Sequence, residues 1–154
     1  MNQSWWKVPL YCMAASWICF QLEVHLLGRW AIITLPDGSI SSDNIRWMVM
    51  SAALFLAIVC IGGFVFFRRM TRKEIFCSAC VLVVLNVVFG LFTYKMQRVF
   101  PSFTMLWSEL TEWDSIVSQL LFQLGLNEWL SAAITWLLPP YIFVLFGTRH
   151  HVHG

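Results

Sequence analysis

The chain has 154 residues, of which 59% are hydrophobic and only 12% are charged. A soluble domain usually carries about 25% charged residues, so this chain lacks the polar side chains needed to cover a water-facing surface. Its net charge of +2 is too small to indicate nucleic-acid binding. The composition therefore excludes a soluble globular domain and a nucleic-acid partner, and it predicts that the lipid bilayer is the main partner of the chain.

Four stretches of the sequence are apolar enough and long enough to cross a bilayer as helices. They cover residues 8–27, 47–67, 75–94 and 129–146. A spanning helix needs about 20 mostly apolar residues, and lipid offers no hydrogen-bond partner to an unpaired backbone group. The sequence therefore predicts an all-α integral membrane protein, a single domain over residues 1–154 that forms a bundle of four transmembrane helices.

Basic residues between the second and third spans predict the orientation of this bundle. The short connection carries Arg68, Arg69, Arg72 and Lys73. Short loops rich in Lys and Arg remain on the cytoplasmic side of a membrane. We therefore expect both termini in the cytoplasm of a multi-pass protein of the cell membrane, of the bacterial inner-membrane kind.

The outer connection between spans one and two contains a turn signal. Pro36, Asp37 and Gly38 follow one run rich in β-branched residues and precede a second, shorter one. Proline at the second position of a turn and glycine at the last are typical of a type I turn. The sequence therefore predicts a small outer hairpin that lies against the helix ends.

The outer connection between spans three and four is longer and has helical periodicity. Between about residues 102 and 124, apolar side chains recur at spacings of three and four, and the opposite face is polar and acidic. This pattern predicts one amphipathic helix, on the outer interface or folded onto the bundle. Two roles stay open for it: a lid over the helix ends, or a docking face for a protein partner or a second copy of the chain.

One candidate ion or ligand site lies near the outer end of the first span. Glu23 is an ionisable residue within an apolar helix, where it should face the bundle or reach a cation. His25 is two residues further on and therefore does not share its helical face. Arg46 and Lys95, together with Arg29, are the expected cationic partners of Glu23. The site is either a proton or cation site or an interfacial ion pair that fixes helix packing.

A second candidate site consists of cysteines. Cys12, Cys60, Cys77 and Cys80 all fall in the inner halves of their spans, and the last two form a CxxC spacing. Such a spacing suits disulfide exchange or metal binding. Cysteine is also a small apolar residue that is common in buried helices, and the cytosolic side keeps thiols reduced, so both interpretations stay open.

Four spans, inner termini, an amphipathic outer segment and a CxxC resemble the quinone-linked disulfide-forming membrane enzymes of the DsbB and vitamin K epoxide reductase type. In those enzymes a CxxC near the outer surface works with a second outer cysteine pair. Here Cys77 and Cys80 follow the basic inner loop, and neither outer segment contains a cysteine. The resemblance therefore extends to the topology but not to the chemistry.

The remaining polar features predict structural roles. Asn86, near the middle of the third span and four residues before Gly90, is expected to hydrogen-bond across helices. The terminal residues His150, His151 and His153 form either a divalent-metal site or a solvated tail. No catalytic set, phosphate loop or cofactor signature stands out, so the cofactor is unknown. The leading hypothesis is a non-enzymatic accessory or assembly subunit; the alternatives are ion or proton transport through Glu23, and membrane thiol chemistry.

Overall fold

The computed structural model describes residues 4–96 and 99–148. In this part of the chain, four helices are long and apolar enough to cross a membrane. We number the helices α1 to α6 in chain order. Their bounds are α1 Lys7–Ala31, α2 Asn44–Phe67, α3 Arg72–Met96, α4 Pro101–Leu110, α5 Ser115–Gln123 and α6 Glu128–Leu137. The predicted helical architecture, with four helices of spanning length and apolarity, is confirmed at this level.

The two ends of the bundle differ in what connects the spans. At one end, which we call the arginine end, α2 meets α3 through the turn that carries Arg68 and Arg69. At the other end, the β-hairpin end, α1 is joined to α2 by two short strands. Large apolar side chains on the outward faces are well exposed, as at Leu10 (70%) and Val65 (70%). These faces are suited to lipid, because in a bilayer exposed apolar surface carries no penalty.

The small hairpin predicted after the first span is present. Strands β1 (Ile32–Thr34) and β2 (Ile40–Ser42) pair antiparallel, with Ile33 opposite Ser41. The Gly38 N–H donates to the Leu35 carbonyl at 2.9 Å, and Gly38 has a φ of +81°. Only glycine adopts this left-handed conformation without strain. Hydrogen bonds from the Ser39 side chain and N–H hold the pKa of Asp37 below its usual value.

The amphipathic segment between the third and fourth spans differs from the single helix predicted over residues 102–124. It forms α4 and α5, separated by a 3-10 turn at Glu112–Asp114. The break occurs at Thr111, whose φ of −119° leaves the helical region. Residues 101–123, which we call the inserted segment, therefore form two helices joined by a turn. The break was not predicted, because the apolar spacing in the sequence continues through it.

The fourth span changes its helix type at the two prolines. Helix α6 ends at Leu137, and a 3-10 helix continues over Pro139–Phe146. The predicted disruption by Pro139 and Pro140 is confirmed, because a proline lacks the N–H that an α-helix needs and its ring opposes the preceding turn. At the arginine end, the Tyr11, Phe67 and Phe143 rings pack against one another with centroids 4.9 to 5.8 Å apart.

Candidate functional site

The turn of the inserted segment lies in the interior of the bundle rather than on its surface. Trp113 is 3% exposed, and its ring stacks on Phe55 of α2 and on Phe143 of the fourth span, with centroids 5.7 Å apart in both pairs. Its backbone N–H donates to the Ser16 side-chain oxygen at 3.2 Å. Ser16 lies near the middle of α1, so α4 leads the chain into the bundle and α5 leads it out again.

The path of the two short helices is visible in their contacts. The Phe103 ring on α4 packs against Phe92 of α3, and Trp107, one turn further, packs against Phe89 with centroids 4.6 Å apart. At the end of α5, Gln123 hydrogen-bonds to Met48 near the start of α2. Both helices thus begin or end near the β-hairpin end of the bundle, and the turn between them is the deepest part of the inserted segment.

This insertion brings two carboxyl groups together. Glu23 of α1 and Glu112 of the 3-10 turn lie within hydrogen-bonding reach of one another. The Ser51 hydroxyl of α2 donates to Glu23 Oε1 at 3.3 Å, and the Ser115 side chain lies beside Glu112. A hydrogen bond between two carboxyl groups requires a proton on one of them, because an ionised carboxylate only accepts. A bond between Glu23 and Glu112 would therefore need one proton on the pair.

A third carboxyl group stands beside this pair. Asp114 is 4% exposed, and its Oδ2 atom has no hydrogen-bond partner among the described residues. It faces Glu112 and the Cys12 side chain of α1. An unpaired buried carboxylate is costly, whereas a protonated one is far less so. We call Glu23, Glu112 and Asp114 the acidic cluster.

The environment of the acidic cluster favours the neutral form of Glu112 and Asp114. Burial raises the pKa of Glu112, although the hydrogen bonds from Ser115 and Glu23 act in the opposite direction. Burial also raises the pKa of Asp114 well above its ordinary value; its own backbone N–H acts against this and the nearby Glu112 carboxyl adds to it. In the described parts of the chain, residues 4–96 and 99–148, no Lys or Arg side chain forms an ion pair with the cluster.

The cationic partners predicted for Glu23 lie elsewhere. Arg46 pairs with Asp43 at 3.2 Å in the first turn of α2 and is exposed. Arg29 and Lys95 are exposed as well, and so is His25. Of the four predicted ligand residues, the structure brings only Glu23 into the interior. Among the described residues, the structure pairs none of the predicted cations with Glu23, and its ionisable neighbour is the Glu112 carboxyl group.

The cysteines do not gather at one point. Cys12 is buried in the core, Cys60 and Cys77 are exposed on outward faces, and Cys80 contacts the Tyr141 hydroxyl at 3.4 Å. All five cysteines are free. In the described part of the chain, no group of three or more His, Cys, Asp or Glu side chains is arranged to hold a metal ion. The predicted convergence of thiols is therefore absent there, and a thiol role for Cys77 and Cys80 stays a prediction.

The other polar predictions have mixed outcomes. Asn86 is 3% exposed, but its Oδ1 atom has no partner among the described residues, so the expected bond across helices is not made by this oxygen. Gly90 does allow the close approach that was expected, because a Cβ there would meet the Trp136 ring at 2.7 Å. His150, His151 and His153 lie outside the described residues.

The docking role predicted for residues 102–124 also stays a prediction. Part of the apolar stripe that suggested it is used inside the chain, since Trp113 and Ile116 are buried. Leu106, Phe122 and Leu124 remain exposed by 54%, 63% and 77%. Lipid can cover those side chains as well as a protein can, so their exposure does not indicate a partner. The buried side of the inserted segment is therefore the better guide to function.

Comparison with known proteins adds no relative: no protein-family model, curated protein or solved structure matches the chain. The geometry of the site therefore carries the functional argument. The sequence singled out Glu23 but not Glu112 or Asp114: Glu112 fell on the polar face of the predicted amphipathic helix, and Asp114 was one of several acidic residues in the same connection. The one local signal is that these two acidic residues lie on either side of Trp113.

Proposed function

We propose that this protein binds and releases a proton inside the membrane, at the Glu23–Glu112 pair, and that it couples this proton to movement of the inserted segment. The observation that carries the proposal is the pair itself: two carboxyl groups on different elements, in mutual hydrogen-bonding reach and without a cationic partner among the described residues. Ionisable residues within membrane spans are costly and commonly belong to proton or ion pathways.

The coupling follows from electrostatics. With one proton on the pair, a hydrogen bond joins α1 to the turn of the inserted segment. When that proton leaves, two like charges face one another in a medium of low dielectric constant, where repulsion is much stronger than in water. The turn is held at this point by few polar contacts, chiefly the bond from Trp113 N–H to Ser16. Loss of the proton would therefore push the inserted segment away from α1.

A proton-coupled segment of this kind is suited to transport, and we place the protein in the class of small proton-coupled membrane proteins. The accessory-subunit hypothesis has weaker support, because the structure offers it only exposed apolar side chains of the sort that lipid also covers. Asp114 would be a second proton-binding group next to the pair, since it lies beside Glu112 and has an oxygen without a partner among the described residues.

Infrared spectroscopy of the reconstituted protein tests the shared proton. A protonated carboxyl has a carbonyl stretching band that an ionised one lacks, and we expect this band to persist to higher pH than it would for a carboxyl group in water, because burial favours the neutral form. Both Glu23→Gln and Glu112→Gln should remove part of the titrating band. Glu109→Gln, on α4 outside the acidic cluster, is the matched control and should leave it unchanged. A band that neither cluster variant alters would refute the shared proton.

We also propose that the arginine end faces the cytoplasm of a cell membrane, of the bacterial inner-membrane kind. The support is the exposed position of Arg68, Arg69 and Lys73 at that end, because basic residues in short loops are retained on the cytoplasmic side.

Cysteine accessibility tests the orientation. In a chain whose five cysteines are replaced by alanine, Ser39→Cys in the β-hairpin loop should react with a membrane-impermeant maleimide in intact cells. Arg69→Cys should react only after the membrane is opened. The reverse order of reaction would contradict the proposed orientation while leaving the proton-binding proposal untouched.

A further inference from the structure

A cavity of about 580 Å³ lies between α3, α4 and α6. Its volume falls in the range of small-molecule sites, about 300–1,000 Å³. Three indoles line it: Trp107, Trp129 and Trp136. The Trp107 ring is packed against Phe89 at 4.6 Å, and Trp136 lies against Gly90. Packing therefore holds at least two of these rings in place.

Four hydroxyl groups around the cavity donate their protons in hydrogen bonds to backbone carbonyl groups. Thr104 donates to the Pro101 carbonyl at 2.7 Å, Ser108 to Met105 at 2.7 Å, and Thr111 to Trp107 at 3.0 Å. Thr93 of α3 likewise donates to Gly90 at 2.8 Å. A hydroxyl has one proton and two lone pairs. Each of these side chains can therefore offer only an acceptor oxygen to a molecule in the cavity.

The charge of the lining has one sign. Glu128, in the first turn of α6, contributes a carboxylate, and none of the lining residues is Lys, Arg or His. The faces of indole rings are negative and attract cations, tryptophan more strongly than tyrosine or phenylalanine. Indole rings, acceptor oxygens and one carboxyl group together form a lining that suits the positive charge of an apolar molecule.

We propose that this cavity binds an organic ammonium ion, held by the indole faces and by Glu128. The molecule would be either a free amine or quaternary amine, or the ammonium headgroup of a lipid; both present the same chemistry to the site. A bare metal ion fits less well, because the lining supplies only one carboxylate and three bulky rings. The proposal is independent of the shared proton, since Glu128 does not belong to the acidic cluster.

Calorimetric titration of the full chain in maltoside micelles provides the test. The probe is benzyltrimethylammonium, and its neutral comparison is neopentylbenzene, which has the same shape with carbon in place of nitrogen. We expect the neutral compound to bind at least about tenfold more weakly, the range that cation–π contacts and a nearby carboxylate allow. Equal binding of the two compounds would overturn the proposal, because shape rather than charge would then govern recognition.

Two variants locate the site. Glu128→Gln removes the charge at nearly constant volume and should weaken probe binding about tenfold, and Trp107→Phe should weaken it by about threefold. The matched controls are Glu109→Gln and Trp17→Phe, which change the same residue types away from the cavity and should bind as the original chain does. If Glu128→Gln proves unstable, Trp107→Phe decides alone. Unchanged binding in the folded cavity variants would overturn the proposal.

Competition distinguishes the two sources of the ammonium group. Short-chain phosphatidylcholine carries a quaternary ammonium headgroup, and phosphatidylglycerol of the same chain length does not. Displacement of the probe by phosphatidylcholine alone identifies a lipid headgroup as the occupant. Displacement by neither lipid identifies a free organic cation. Equal displacement by both would contradict the proposal, because it would show that acyl chains occupy the cavity.

Discussion

The arginine end and the β-hairpin end of this bundle are held together in different ways. At the arginine end, apolar and aromatic side chains fill the interior: Val8, Phe67, Ile75 and Phe143 are all buried to 1% exposure or less. Where the turn of the inserted segment meets this core, the interior holds the acidic cluster, with an Asp114 oxygen that is unpaired among the described residues. Nearer the β-hairpin end lies the cavity lined by indole rings, hydroxyl groups and one carboxyl group. Apolar packing fills the arginine end, whereas polar groups remain between the helices beyond it.

The difference lies in what fills the space between the helices. Lipid tails are as apolar as leucine, so helices in a bilayer associate through close packing and interhelical hydrogen bonds rather than through the hydrophobic effect. At the arginine end, Gly62 allows the Tyr11 and Phe143 rings to approach within 2.7 Å of where a Cβ would stand. Beyond that end, the inserted segment lies between the helices, and its Trp113 N–H donates to the Ser16 side chain.

The largest expected effect tests the packed half. Phe143→Ala removes a fully buried ring that contacts Tyr11, Phe67 and Trp113, and it should lower the free energy of unfolding by about 3 kcal/mol. Detergent-titrated unfolding in mixed micelles measures this. Leu145→Ala, two residues away and 73% exposed, is the control and should cost much less. Equal losses would mean that the ring cluster does not stabilise this end.

The second prediction concerns the pH dependence of the polar half. Burial raises the folded-state pKa of Asp114 above its ordinary value of 3.8, so the folded state binds this proton more tightly than the unfolded state. The resulting stability is fully present below pH 3.8. It is lost as the pH rises towards the folded-state pKa, by about 1.4 kcal/mol for each pH unit. Thermal unfolding across this range should show a decline that Asp114→Asn reduces.

The control for this prediction has the opposite sign. The pKa of Asp37 in the exposed turn is lowered by its hydrogen bonds with Ser39, so its contribution is present at neutral pH and is lost as the pH falls. Asp37→Asn should therefore leave the decline towards high pH unchanged. If Asp37→Asn flattens the profile as much as Asp114→Asn does, the decline does not come from the interior of the bundle.

The smallest effect tests how the inserted segment is held. Ser16→Ala removes the acceptor of the Trp113 N–H, leaving a buried donor unpaired, and it should cost about 1 to 2 kcal/mol. Hydrogen exchange at the Trp113 amide should also become faster. Ser118→Ala is the comparison, because the Ser118 hydroxyl bonds to Ser115 within its own helix. An unaltered Trp113 exchange rate in Ser16→Ala would show that other contacts hold the turn.

The candidate site was only partly predictable from the amino-acid order. Glu23 stood out because a carboxyl group is rare and costly within a spanning helix. A cation was predicted beside Glu23, because a basic partner usually offsets the cost of a carboxylate in a span. Arg29, Arg46 and Lys95 were expected at the same end of the bundle. The structure instead supplies Glu112, which the helix break at Thr111 turns inward. The apolar periodicity of residues 102–124 implies one unbroken helix, and an unbroken helix would carry Glu112 on its polar face.

The amino-acid sequence alone determined the features that depend on local composition and on the solvent. The four spans follow from apolar length, the β-hairpin from its turn residues, and the end of α6 from Pro139 and Pro140. Only the tertiary structure decided that the amphipathic segment enters the bundle, that Glu23 meets Glu112, and that three indoles enclose a cavity. These features arise from contacts between residues far apart in the chain, whose free energies no local pattern encodes.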